Sequence, residues 1–131
     1  MMIKYEFAPD IQQRIVEILQ KTNLKHIDMS RVFCVRSYGS NASGVVARCH
    51  ALGKIWQKVL ECKAAYIVEV ITERFDNLPE DEKIRTLLHE VMHIPKTFGG
   101  GFKHHNFVTR KNIEKIYREF LKARDNFTIF P

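Results

Sequence analysis

The chain has 131 residues, of which 45% are hydrophobic and 27% charged, and it carries a formal net charge of +6. That length accommodates one domain with a core of its own, and the composition is that of a globular protein rather than a disordered or fibrous one. No apolar run reaches the roughly 18 to 20 residues that cross a bilayer, and "MMIKYEFAPD" lacks the regions of a secretory signal, so a cytoplasmic domain spanning 1–131, with no membrane partner, is expected.

The first helical pattern is "PDIQQRIVEILQKT", opened by Pro9 or Asp10, with Ile11, Ile15, Ile18 and Leu19 at one-face spacing. "TNLKHIDMS" follows as a loop. Arg31 to Tyr38, rich in β-branched and aromatic residues, reads as a strand. "GSNASG" turns the chain, and Val45 to Leu52 runs back as a second strand. "GKIWQKVLEC" fits a short helix and a loop equally well. Tyr66 to Thr72 is the clearest strand, apolar almost throughout except for Glu69, and so belongs nearer the middle of a sheet.

A helix from Glu80 to Ile94 follows, with Pro79 at its start and three acids complementing the helix dipole in the first turn. Pro95 stops it. "TRKNIEKIYREFLKAR" gives a last helix, with Ile113, Ile116, Tyr117, Phe120 and Leu121 on one stripe and Lys111, Lys115, Arg118 and Lys122 on a solvated side. Trp56 is expected to pack over the core rather than to mark a partner contact. Cys34, Cys49 and Cys62 are odd in number and form no CxxC pair, which points to free thiols packed as small hydrophobes.

The chemistry concentrates in "LLHEVMHIPKTFGGGFKHHNF", Leu87 to Phe107, which holds four of the six histidines. Projected at about 100° per residue, Ile84, Leu87, Leu88, Val91 and Ile94 share a sector of roughly 120°, while His89 and His93 fall on the opposite side about 40° apart. Two histidines one turn apart on a non-core face can grip a single tetrahedral ion, and the glutamate between them, Glu90, points to the ion's flank. A third protein ligand leaves one coordination position open. The run Gly99-Gly100-Gly101 lets the chain double back and deliver His104 or His105.

"HEVMHIPKTFGGGFKHH" resembles the HExxH–Ile–Pro segment and glycine-rich return of a group of predicted archaeal and phage zinc metallopeptidases of the zincin superfamily. The likeness extends upstream through "YIVEVITERFDNLPEDEKIRTLLHE", covering Tyr66 to His105. Aligned on "HIPKTF", His105 takes the place of the family's third ligand, with Asn106 where glycine or aspartate is common; "HHNF" also permits a frame that begins at His104. The resemblance implies an α+β, minimal zincin-like fold. It would have a small twisted sheet of about three strands packed with an N-terminal helix, the HExxH helix and a C-terminal helix. It also implies Zn2+ held by His89, His93 and His105, and hydrolysis of a peptide or protein substrate lying along an edge strand, for which Val45 to Leu52 is the candidate.

In such a site zinc acidifies its bound water and polarises the carbonyl, and Glu90 is the catalytic base that moves the proton. Glu69, Glu73, Asp76 and Glu114 are available to orient the ligands. Tyr38, Tyr66, Tyr117 and His104 are available to steady an oxyanion, and His26 and His50 read as structural or solvent-facing. Two other functions compete. A zinc-dependent nucleic-acid hydrolase suits the +6 charge, although the basic residues are dispersed and nucleic-acid association is weakly supported. A non-catalytic zinc-binding module would have no use for Glu90.

Overall fold

The computed structural model describes residues 2–41 and 43–129. Its strands are β1 (Lys4–Phe7), β2 (Val32–Tyr38), β3 (Ala47–Ala51) and β4 (Tyr66–Ile71), and its α-helices are α1 (Pro9–Gln20), α2 (Lys54–Leu60), α3 (Thr72–Phe75), α4 (Glu80–Met92) and α5 (Arg110–Ile129). The fold is mixed α+β. Its four strands lie in the order β1-β2-β4-β3, one more than the roughly three expected. The extra strand is β1, "KYEF", in which all four residues are exposed. It joins the sheet through backbone pairing with β2 and buries nothing, so it carries no hydrophobic pattern to read.

β4 is central, as its apolar character implied. It runs parallel to β2, with Val32 opposite Tyr66, and antiparallel to β3, with Ala47 opposite Val70. The strand after the "GSNASG" turn therefore does not return beside β2; β4 inserts between them. On the way from β2 to β3, Gly39 and Gly44 have positive φ, and the Val46 carbonyl accepts from the Ile71 N–H at the end of β4. The stretch left open as helix or loop is helix α2, and the β4 stretch ends one residue early because Thr72 begins α3.

One face of the sheet meets the helices. Val32, Cys34, Tyr66, Val68 and Val70 pack against Ile11, Ile15 and Ile18 of α1, Ile84, Leu87, Leu88 and Val91 of α4, and Ile113, Tyr117 and Phe120 of α5. Burying four such side chains on α4 contributes on the order of 6–12 kcal/mol of transfer free energy before entropy is counted. Arg14 of α1 pairs with Glu80 at the start of α4, joining the two helices at the rim. Trp56 does not pack over the core. It is 58% exposed on a helix whose Ile55, Val59 and Leu60 are exposed too, because α2 touches the rest of the molecule mainly through Gln57. All three cysteines are free. Among the described residues no helix is long and apolar enough to cross a membrane.

Candidate metal centre

α4 ends at Met92, two residues before the expected Ile94, with His93 as its C-cap. The physical cause is Pro95, which has no N–H to donate and disfavours helical backbone at the residue before it. His93 nevertheless keeps helical dihedrals (φ −68°, ψ −17°), so its side chain stays one turn beyond that of His89. The apolar residues Ile84, Leu87, Leu88 and Val91 are buried and the two histidines half-buried, the division that the helical projection implies.

The chain then folds back over the two imidazoles. The Lys103 N–H donates to the His93 carbonyl (2.7 Å), and His93 Nδ1 donates to the Lys103 carbonyl (2.6 Å). A carbonyl can only accept, so this bond places the ring proton on Nδ1 and leaves the Nε2 lone pair free, the usual means by which a ligating histidine is oriented. His105, two residues further on, comes to 4.9 Å from the His93 ring and 5.4 Å from the His89 ring, centroid to centroid. One ring nitrogen from each of His89, His93 and His105 lies within 4.8 Å of the others. His104 lies outside this group. Burial lowers the His89 pKa, and the neighbouring His93 and His105 lower it further, favouring the neutral imidazole that binds metals. Three such donors suit a divalent transition-metal ion.

The return loop has one obligatory glycine. Of Gly99, Gly100 and Gly101, only Gly100 has positive φ (+100°), and the other positive value nearby belongs to Phe98 (+48°). Tyr66, rooted in β4, holds the turn from below. Its hydroxyl donates to the Gly101 carbonyl (2.8 Å) and accepts from the Gly100 N–H (2.9 Å), and its ring packs edge-on against Phe98. From α2, Gln57 Nε2 donates to the Leu52 and Gly99 carbonyls.

Glu90 is 7% exposed, and burial pushes its carboxyl up to about 7. With His89 it lines a cleft of about 870 Å³, together with Val45–Ala47, with Val108, and with Arg110 and Ile113 of α5. β3 is an edge strand on this cleft. The Ile71 N–H bonds to the Val46 carbonyl and the Leu52 N–H to the Ala65 carbonyl. Antiparallel alternation therefore turns the backbone groups of Ala47, Cys49 and Ala51 toward the open edge. Cys49 takes no ionic part, since burial, and next the charge of Glu90, push its thiol up to about 12.

With this geometry in place, the comparisons with known proteins are direct. The model of a protein family described as "putative phage metallopeptidase" matches residues 3–125. The chain belongs to this family. No curated protein and no solved structure matches it.

In this metallopeptidase-family chain the carboxylates considered as partners of the site histidines are engaged elsewhere. Glu69 meets His50 (2.8 Å), Glu73 accepts from the Gly39 N–H, Asp76 pairs with Arg36 and Glu114 with Arg85. The partner of His93 is a backbone carbonyl, which no side-chain pattern could disclose. Tyr66 is fully buried with its hydroxyl committed to the loop, so it is a support of the site rather than a group free to meet substrate. His26 Nε2 donates to the Ile94 carbonyl (2.9 Å) and secures the backbone where α4 ends.

Proposed function

We propose that this chain is a zinc-dependent peptidase with a minimal zincin-like site, in which His89, His93 and His105 hold the ion and Glu90 is the base. The observation that carries the reading is the convergence of three imidazole nitrogens within 4.8 Å, with the buried carboxylate of Glu90 lining a cleft beside one of them, His89. A site that merely staples a fold closes its fourth position and has no need of an adjacent base. Zinc, when bound, supplies Lewis acidity toward a carbonyl and a water.

The chain's own residues account for the rest. The Lys103 carbonyl keeps His93 in the tautomer that presents Nε2. The Ala47, Cys49 and Ala51 backbone groups offer an extended peptide main-chain hydrogen bonds by strand addition. The Glu90 carboxylate would take the proton of the water whose oxygen adds to the scissile carbonyl, and return it to the amine nitrogen as the C–N bond breaks.

The test is metal analysis and peptide cleavage of wild type beside Glu90→Gln, His89→Ala and His105→Ala. Wild type should hold one zinc and cleave casein or a peptide library until a chelator is added. Glu90→Gln should keep the zinc and lose turnover by at least about 100-fold, and the two histidine variants should lose zinc. Undiminished cleavage by Glu90→Gln would remove that residue from the mechanism, and zinc retained by both histidine variants would remove the site.

A further inference from the structure

The hydrolase reading above leaves the substrate unspecified, and the cleft itself carries information about it. Two guanidinium groups line the cleft beside His89 and Glu90: Arg85 of α4 and Arg110 at the start of α5. Arg85 is saturated. It pairs with Asp81 and Glu82 at 2.9 Å each and with Glu114, and it lies 4.4 Å over the Tyr117 ring.

Those pairings decide the state of Arg110. Arg110 and Glu114 stand one turn apart on α5, the spacing at which an arginine and a glutamate ordinarily meet. Glu114 reaches across to Arg85 on α4 instead. Among the described residues Arg110 is left with no carboxylate at ion-pair distance. Glu82 and Glu114, which line the cleft beside Glu90, both pair with Arg85 and not with Arg110. Val45, Val46 and Ala47, beside the open backbone edge, line the same cleft as Arg110. A peptide added to that edge, with its scissile carbonyl near His89 and Glu90, would lie in the cleft that Arg110 also lines.

We infer that Arg110 is a specificity residue that receives a carboxylate of the substrate. The enzyme thus favours peptides with a negative charge within a few residues of the cleaved bond. A guanidinium presents a planar fork that matches a carboxylate with two parallel hydrogen bonds. Aspartate or glutamate side chains and a free C-terminal carboxylate share this chemistry.

The test uses zinc-loaded full-length protein and fluorogenic peptides that differ at single flanking positions, with Asp, Asn or Lys, each with a free or an amidated C-terminus. Wild type should cleave the acidic peptides about tenfold better in kcat/KM than their amide counterparts. Arg110→Gln should abolish that preference, and Arg110→Glu should turn it toward Lys. Arg118→Gln, an equal loss of charge on the solvated side of α5, should leave it intact. A preference confined to the free C-terminus identifies the terminal carboxylate as the group received, and one that survives amidation identifies a side chain. Wild type indifferent to charge, a preference that survives in Arg110→Gln, or one lost equally in Arg118→Gln overturns the proposal while the hydrolase reading stands. If no peptide is cleaved, the hydrolase reading fails. Fluorescence anisotropy of the same peptides, labelled, on wild type, Arg110→Gln and Arg118→Gln then judges the subsite by the same three criteria.

Discussion

Replacing Gly100 by alanine should unseat the loop that carries His105, and the coordinates give the size of the effect. Gly100 sits at φ +100°, where an alanine is strained by about 1–3 kcal/mol. A Cβ there would stand 2.5 Å from Gln57 Nε2 and 2.6 Å from the Leu52 carbonyl oxygen. Leu52 is backbone and cannot yield. Gln57 can swing away only by giving up its hydrogen bonds to Leu52 and Gly99, at about 1 kcal/mol each. The sum is about 3–5 kcal/mol, against about 5–15 kcal/mol for the whole stability of an ordinary domain.

If the loop stays in place, the cost appears as a fall in Tm of roughly 10 °C or more. If it relaxes locally, the cost appears as a loss of zinc affinity of at least about 100-fold. Thermal unfolding of the zinc-free protein and competition with a chromogenic chelator read the two channels separately. Gly101→Ala is the matched control, since its Cβ meets nothing within 4 Å and its φ is not positive, and it should resemble wild type in both. Gly100→Ala indistinguishable from Gly101→Ala in both measurements refutes the reasoning.

Further expectations concern the neighbours of that loop and the helix that faces it. His105→Ala should weaken zinc binding by more than about 100-fold and His104→Ala by less than about threefold, measured by the same competition; the opposite order would transfer the third ligand to His104. Tyr66→Phe keeps the buried ring but strips both hydrogen bonds from Gly100 and Gly101, and urea unfolding should show a loss of about 1–3 kcal/mol; an unmoved midpoint counts against the tether. The hydrogen bond from Arg14 holds Glu80 below the usual carboxylate range. A depressed folded pKa contributes stability above the unfolded value of about 4.3 and loses it as pH falls through the folded one. Wild type should therefore exceed Glu80→Gln in Tm at pH 6, and the two should converge as the pH drops to about 3; a gap that persists at pH 3 would mean that the pairing is not ionic.

Local chemistry made much of this molecule readable in advance. The period of Ile84, Leu87, Leu88 and Val91 dictates which side of α4 is buried, and therefore that His89 and His93 share the other side, because helical geometry depends only on near neighbours. Pro95 ends that helix by its own covalent structure. The continuous apolar stretch at Tyr66 announces a central strand for the same kind of reason.

Other features belong to contacts between residues far apart in the chain, and no local pattern encodes those. β1 joins the sheet by backbone bonding alone, and β4 settles between β2 and β3 because only there are both its edges paired. The histidine that meets His89 and His93 is selected by the path of the return loop, which is set by the Tyr66 hydroxyl, the Gln57 amide and the single positive φ of Gly100. The orientation of His93 depends on the Lys103 carbonyl, a group that every residue possesses and whose direction folding alone determines.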